Sequence, residues 1–205
     1  MYWILLEMKR NLITAIYIGN QIYNKKIAVC NWYNKKLKTL LILRHAKSSL
    51  KDPNIADHER PLDELAKKDA LQMGKLIRDK DLIPDFILSS TAVRAKTTTE
   101  LVAEGCEYKG DIVFKQSLYK AKPKDYLKII EGLSDRYVRI LLVGHNPAVE
   151  ETMEVFTGLL DKTMSACALA HLKVPIEKWS DLKQEKNNIR AELIAVIRPE
   201  DYLRR

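Results

Sequence analysis

Three short runs of hydrophobic residues in this chain are each followed at once by polar residues and turn signals. They lie within segments 38–46, 85–95 and 139–147. Unbroken apolar runs of this length, rich in leucine, isoleucine and valine, are typical of strands whose sheet is covered on both faces. The pattern therefore predicts three buried strands of a mostly parallel sheet.

Segments with helical spacing separate these strands. From Asp63 to about Lys80, apolar residues recur on one helix face and lysine and arginine lie on the other. This alternation of strands and helices predicts an α/β fold, a three-layer α/β/α sandwich with a mostly parallel sheet. The other predicted helices cover 91–104, 123–133 and the residues after Pro147, and further strands cover 111–118, 166–174 and 191–198.

Two polar residues at the ends of strands are predicted to cap helices. Ser90 precedes the helix 91–104, and Asn146 precedes Pro147 at the start of the next helix. That second helix would begin directly after His145, so its free backbone N–H groups would favour an anion at this place.

Two arginines and two histidines lie where the predicted strands end. Arg44 and His45 follow the first strand, and His145 follows the third. Arg94 falls in the first turn of the helix after the second strand. Because ligands bind at the carboxyl ends of strands in such sheets, we expect these side chains to share one pocket. Two guanidiniums can hold a phosphate while an imidazole attacks phosphorus.

Composition is that of an ordinary globular protein, with 205 residues of which 46% are hydrophobic. The formal net charge is +8, but residues 1–38 carry +6 of it and the remainder only +2. Anion affinity in the body of the chain must therefore come from local placement of charge. We expect residues 1–37 to be a basic N-terminal extension outside the core and residues 38–205 to be the functional domain.

The three cysteines are widely spaced and include no C-x-x-C pair, which argues against a disulfide framework and a zinc site. A reducing compartment fits best, so we expect a cytoplasmic protein. The segment 11–23 is too short and too polar to span a bilayer. One alternative is a polyanion-binding protein that uses the basic extension on nucleic acid or an acidic membrane. A solvated terminus explains the same residues, so no nucleic-acid partner is expected.

Three motifs occur in order along the chain. They are Arg44-His45-Ala46, a Ser-Ser-x-x-x-Arg-Ala segment at 89–95, and Gly-His-Asn-Pro at 144–147. Together they resemble the motifs of the histidine phosphatases, or phosphoglycerate-mutase-like proteins, and most closely the small phosphohistidine phosphatases called SixA. The resemblance covers residues 38 to 199, and the element Arg60-Pro61-Leu62 is also similar to the small branch.

The resemblance implies a phosphoglycerate mutase-like fold and a metal-independent phosphatase without a cofactor. His45 would be the nucleophile that becomes phosphorylated, and Arg44, Arg94 and His145 would clamp the phosphoryl group. This sequence departs from the motifs of the family at two places. Ala46 replaces the usual glycine, and the stretch 114–124 lacks the glutamate that mutases and many metabolite phosphatases carry.

The missing acid bears on the substrate. An alkoxide leaving group ordinarily needs a general acid, whereas the imidazole of phosphohistidine leaves more easily. The expected substrate is therefore a phosphohistidine-bearing protein. The enzymatic alternative is a phosphatase for a small phosphorylated metabolite, and a mutase is the least favoured activity.

Five other residues carry both a functional and a structural interpretation. Asp57 is the remaining candidate proton donor, or else a surface carboxylate. Ser48 and Asn146 are candidate phosphate contacts, although a turn hydrogen bond and a helix cap explain them equally well. His58 is interpreted as a solvated loop residue and His171 as a residue of the sheet, rather than as substrate contacts.

Overall fold

The computed structural model describes residues 37–49, 54–160, 162–183 and 190–202. The predicted N-terminal extension, apart from Leu37, lies outside these residues, as does part of the turn predicted between the last two strands.

Six strands and five helices make up the described part of the chain. The strands are β1 (Lys38–Arg44), β2 (Phe86–Ser90), β3 (Ile112–Lys115), β4 (Arg139–Gly144), β5 (Leu169–Val174) and β6 (Glu192–Ile197). The helices are α1 (Glu64–Asp79), α2 (Val93–Gly105), α3 (Pro123–Glu131), α4 (Ala148–Thr157) and α5 (Pro199–Tyr202). Three short 3₁₀ turns lie at Asp57–Glu59, Gln116–Leu118 and Trp179–Lys183.

The strands form one sheet in the order β3-β2-β4-β1-β5-β6. The pairs from β3 to β1 are parallel, whereas β5 runs antiparallel to both β1 and β6. The predicted mostly parallel sheet is therefore confirmed. β1 lies inside the sheet, between a parallel and an antiparallel neighbour.

The inner strands β1, β2 and β4 are buried on both faces of the sheet, which explains their unbroken apolar runs. Leu40 and Ile42 of β1 pack into one hydrophobic cluster that includes residues of α3 and α4. Leu41 and Leu43 point to the other face and pack with residues of α1 and α2. The alternate residues of one strand thus supply two cores, as a three-layer sandwich requires.

Helices α1 and α2 pack very closely where two glycines meet. A Cβ added at Gly74 would lie 2.3 Å from the Val102 carbonyl oxygen, and one added at Gly105 would lie 2.2 Å from that of Leu71. Only residues without a side chain allow this approach. The contact fixes the position of α2, whose first turn carries Arg94.

β5 begins three residues later than predicted because the chain turns before it. Ala168 N–H donates to the Ser165 carbonyl over 3.0 Å, and Cys167 has a φ of 61°. A left-handed residue cannot continue an extended strand. Among the described helices, none has the length and apolar character needed to cross a membrane.

Candidate active site

The two histidines of the motifs lie side by side at the carboxyl ends of β1 and β4. Arg44 is paired with Gly144 in the register of these parallel strands, and His45 N–H donates to the Gly144 carbonyl over 3.0 Å. The ring centroids of His45 and His145 are 4.8 Å apart. The structure therefore brings together two histidines that are far apart in sequence.

The hydrogen bonds of His45 define its tautomer. Its Nδ1 lies 2.7 Å from the Ala46 carbonyl oxygen, which can only accept, so Nδ1 carries the proton. Nε2 then holds the lone pair and accepts a hydrogen bond from Arg94 Nε over 3.2 Å. Burial, with the charges of Arg94 and Arg44, lowers the pKa of His45 to about 4. The ring is neutral at physiological pH.

Arg94 is buried in the first turn of α2 and faces two groups. Besides His45, its guanidinium contacts Asp57, with Nη2 3.0 Å from Oδ2 and Nη1 donating to the Asp57 backbone carbonyl. Thr98 of the same helix accepts from Ala46 N–H over 3.0 Å, which ties the helix to the segment after β1. α2 thus places a cation directly beside the His45 lone pair.

Arg44 and Asn146 are held by a shared acceptor. Arg44 Nη1 donates to the Met164 carbonyl over 2.8 Å, and Asn146 Nδ2 donates to the same oxygen over 3.1 Å. Among the described residues, Arg44 Nε and Asn146 Oδ1 are buried without a hydrogen-bond partner. The prediction that Asn146 caps α4 is wrong, because the cap position is Pro147 and no side chain bonds there.

His145 is oriented by Ser90, whose role the sequence did not indicate. His145 Nε2 lies 2.9 Å from Ser90 Oγ. Burial, with the nearby His45 ring and Arg94, lowers the pKa of His145 to about 3. The prediction that Ser90 is the helix N-cap is wrong: Ser90 ends β2, and the cap position of α2 is Ala92.

Asp57 reaches the site from the 3₁₀ turn Asp57–Glu59. Its carboxylate accepts from Arg94, from Arg60 Nη1 over 3.1 Å and from the Tyr119 hydroxyl over 2.6 Å. The Tyr119 hydrogen bond and then Arg94 lower the pKa of Asp57 to about 2. In this arrangement Asp57 is ionised and has no proton to donate.

His58 is the middle residue of this turn, and Ser48 contacts Arg60, the residue that follows it. His58 Nε2 is 3.0 Å from Thr91 Oγ1, and its ring packs edge-on against Tyr119 with 4.8 Å between centroids. His58 keeps 27% of its side chain exposed, so it is a partly solvated loop residue that also packs against Tyr119. Ser48 Oγ accepts from Arg60 Nη2 over 3.0 Å. His171 lies in β5, as its pattern predicted.

Tyr119 is the other residue that the sequence did not indicate. Its ring packs edge-on against His145 at 5.7 Å and lies 5.8 Å from the Arg94 guanidinium carbon. A single tyrosine after a short strand is a common surface pattern, so no signal marks it. Among the described residues, no group of three or more histidine, cysteine, aspartate or glutamate side chains is arranged to hold a metal ion.

Comparisons with known proteins yield relatives in sequence and structure. No protein-family model matches the chain. An uncharacterized protein of Mycobacterium leprae is 33% identical over 119 residues, which is 57% of this chain and 71% of that protein. An uncharacterized chloroplastic protein of Arabidopsis thaliana is 26% identical over 153 residues, 70% of each chain.

Among solved structures, a protein of Agrobacterium tumefaciens named for the phosphohistidine phosphatase SixA is 30% identical. The match covers 79% of this chain and 98% of that protein, with a TM-score of 0.67. The protein histidine phosphatase SixA in complex with tungstate has the same TM-score of 0.67 at 16% identity, over 80% of this chain and 98% of that one. The second match bears on the fold alone.

Proposed function

The chain belongs to the histidine phosphatase superfamily, and from this premise we propose that it is a phosphohistidine phosphatase that works through a phosphorylated His45. The observation that carries the proposal is the state of His45. Its Nδ1 proton is held by Ala46, and its Nε2 lone pair lies beside Arg94. Attack on a phosphoryl group requires such a lone pair, with a cation near the oxygens of the group.

The proposed reaction has two displacement steps. In the first, His45 Nε2 bonds to phosphorus while the bond from phosphorus to the substrate imidazole breaks, and that imidazole takes a proton from solvent. In the second, the oxygen of water bonds to phosphorus while the bond from phosphorus to His45 Nε2 breaks, and inorganic phosphate leaves with both protons of the water. The His45 ring returns to its neutral state.

The other residues of the site stabilise the charge that is transferred. Arg44 and Arg94 bind the equatorial phosphoryl oxygens, and neutral His145 keeps one N–H for the same purpose. The Ala46 carbonyl accepts from Nδ1 and stabilises the positive charge that develops on the His45 ring when Nε2 bonds to phosphorus. Asn146 and Ser48 are proposed to contact the phosphoryl group at the edge of the site.

The acid–base groups favour a substrate with a good leaving group. Asp57, the candidate proton donor, is held ionised by Tyr119 and Arg94, and the stretch 114–124 contains no carboxylate. A dianionic phosphoryl group on Arg94 would raise the pKa of Asp57, so a proton-donor role requires bound substrate. An imidazole leaving group depends least on such a donor. This supports phosphohistidine over a metabolite phosphate ester.

We further propose that residues 38–205 are the phosphatase domain and that turnover needs no metal. Arg44 and Arg94 supply the positive charge that a metal ion supplies in other phosphoryl transfer enzymes. Residues 1–37 form a separate basic extension, and three widely spaced cysteines without a C-x-x-C pair favour the cytoplasm.

Phosphate release tests the proposal. Wild type, His45→Ala and the control His171→Gln are incubated in chelator with a histidine-phosphorylated protein and with a set of phosphate monoesters. We expect turnover by wild type and the control, loss in His45→Ala, and preference for the phosphoprotein. Preference for a monoester would favour the metabolite phosphatase.

No turnover by wild type on any substrate would reject the enzyme. The polyanion-binding alternative instead predicts salt-dependent binding that is lost when residues 1–37 are removed and is unchanged in His45→Ala.

A further inference from the structure

All three nitrogens of the Arg94 guanidinium are engaged within the protein. Nε donates to His45 Nε2, Nη1 donates to the Asp57 backbone carbonyl, and Nη2 donates to Asp57 Oδ2. The group proposed to bind a phosphoryl oxygen therefore already binds an anion, and that anion is the Asp57 carboxylate.

Asp57 is exposed to solvent and would be free to rotate without other contacts. Its side chain is 54% exposed, in contrast to 9% for that of Arg94. Two further donors hold it in place: Tyr119 Oη donates to Oδ2 over 2.6 Å, and Arg60 Nη1 donates to Oδ1 over 3.1 Å. The Asp57 carboxylate thus accepts hydrogen bonds from three side chains, those of Arg94, Arg60 and Tyr119, as a phosphate oxyanion bound at the same place would.

Tyr119 is itself fixed by the side chains around it. Its ring packs edge-on against His145 at 5.7 Å and lies 4.8 Å from His58, also edge-on. The Arg94 guanidinium carbon is 5.8 Å from the same ring. The Tyr119 hydroxyl therefore has a defined position from which to hold Asp57.

We propose that Tyr119 is a positioning residue that holds the Asp57 carboxylate on Arg94 as an internal anion, which the phosphoryl group of a substrate displaces. Only one part of this proposal rests on the proposed function, namely that the group that displaces Asp57 is a phosphoryl group. No covalent step is involved. Arg94 exchanges one oxyanion for another, and the Asp57 carboxylate moves into solvent.

The exchange weakens the binding of every phosphoryl species at this site, because each must compete with Asp57 for Arg94. The cost is the same for substrate and product, but inorganic phosphate has no other part whose contacts could offset it. An internal anion thus favours product release.

The test measures binding of inorganic phosphate by calorimetry to the full chain. Asp57→Asn removes the charge of the internal anion and is expected to tighten phosphate binding about tenfold. Tyr119→Phe keeps the ring and is expected to tighten phosphate binding about threefold, less than Asp57→Asn does, because it removes one donor to the carboxylate and leaves the charge of the carboxylate in place. In Asp57→Asn, adding Tyr119→Phe is expected to change nothing, because Tyr119 acts through Asp57.

Two matched variants act as controls. Glu59→Gln removes a carboxylate from the same 3₁₀ turn, where Glu59 contacts His58. Tyr108→Phe removes a hydroxyl that donates to the Asp111 carbonyl. Both are expected to leave phosphate affinity within about twofold. Thermal unfolding verifies that each variant is folded.

Three results would overturn the proposal. One is unchanged or weaker phosphate binding in Asp57→Asn, which includes the case where no variant binds phosphate. Another is equal tightening in Glu59→Gln, which would indicate a general charge effect. The third is a Tyr119→Phe effect that persists in Asp57→Asn.

Phosphate binding needs no turnover, so the two proposals can fail separately. Turnover without tightening in Asp57→Asn would reject the internal anion alone. Tightening in an inactive protein would reject the phosphatase alone.

Discussion

Arg94 Nε donates to His45 Nε2 over 3.2 Å, so the cation proposed to bind the phosphoryl group covers the lone pair proposed to attack it. The two side chains come from different elements, the segment after β1 and the first turn of α2. An entering phosphoryl group must separate them. Before substrate binds, the proposed nucleophile and the proposed phosphoryl-binding cation are therefore hydrogen-bonded to each other.

This pairing makes a guanidinium at position 94 necessary. Lysine keeps the charge but lacks the planar set of N–H donors with which Arg94 binds His45 and Asp57 at the same time. We expect Arg94→Lys to lower kcat/KM at least about a hundredfold, the scale on which loss of one transition-state donor acts. Steady-state kinetics measures this. Arg78→Lys, which alters an exposed ion pair with Glu107, is the matched control and is expected to retain activity.

The neutral state of His45 can be observed directly. Burial is the largest cause of its lowered pKa, which lies at about 4. NMR titration of the ring resonances is expected to give a midpoint near that value. In Arg94→Gln the midpoint is expected to rise only in part, because burial remains. A midpoint near 6.5 in wild type would contradict the proposed nucleophile environment.

The buried histidines also determine how the stability of the fold depends on pH. Burial lowers the pKa of His45 and His171 to about 4, and that of His145 to about 3. Between about pH 6.5 and 4 the unfolded chain binds protons that the folded chain does not, so the free energy of unfolding falls as pH falls. The effect is about 2 kcal/mol for each histidine between pH 7 and 5.

Urea denaturation at pH 7 and pH 5 measures this difference. His171→Gln is expected to remove the contribution of one histidine from it. Asp57 does not affect this window, because its pKa lies at about 2 and its contribution is lost only as pH falls from about 4 towards that value. A free energy of unfolding that is equal at the two pH values would contradict the prediction.

Ser90 is expected to matter for activity more than for folding. Ser90→Ala removes the hydroxyl that lies 2.9 Å from His145 Nε2 and leaves the ring without this orienting contact. We expect kcat/KM to fall about tenfold and the free energy of unfolding to fall by about 1 kcal/mol. Ser117→Ala, at an exposed serine of a 3₁₀ turn, is the control. Unchanged kinetics in Ser90→Ala would show that Ser90 does not orient His145.

Gly144 leaves no room for a side chain directly before His145. An added Cβ would lie 2.2 Å from the Tyr126 hydroxyl oxygen and 3.0 Å from Val149 Cγ1. We expect Gly144→Ala to lower the free energy of unfolding by about 1–3 kcal/mol and to displace His145. At Gly132 the nearest atom to an added Cβ is 3.5 Å away, so Gly132→Ala is expected to be tolerated. Thermal unfolding and kinetics of both variants test the difference.

The central part of the site follows from the sequence because parallel strands end at one edge of a sheet. That rule places the residues after β1 and β4 together, and the observed pairing of Arg44 with Gly144 has this register. The order of elements likewise predicts the α/β sandwich, which the sheet and its two buried faces confirm.

The supporting contacts do not follow from the sequence, because they join residues that no local pattern relates. Ser90 has the sequence of a helix cap, yet it bonds a histidine 55 residues away. Tyr119 bonds Asp57 across 62 residues. Asn146 also has a capping sequence, but its amide finds an acceptor in the Met164 carbonyl instead. In each case a tertiary partner replaces the local one.

The Met164 carbonyl binds both Arg44 and Asn146, and it belongs to the backbone. Every amino acid supplies the same oxygen, so natural selection on this contact leaves no preferred side chain at position 164. Homologous sequences would record only the hydrophobic preference that burial of the Met164 side chain imposes. The Arg44-His45-Ala46 and Gly-His-Asn-Pro motifs thus depend on the conformation of the backbone at Met164 and not on the identity of its side chain.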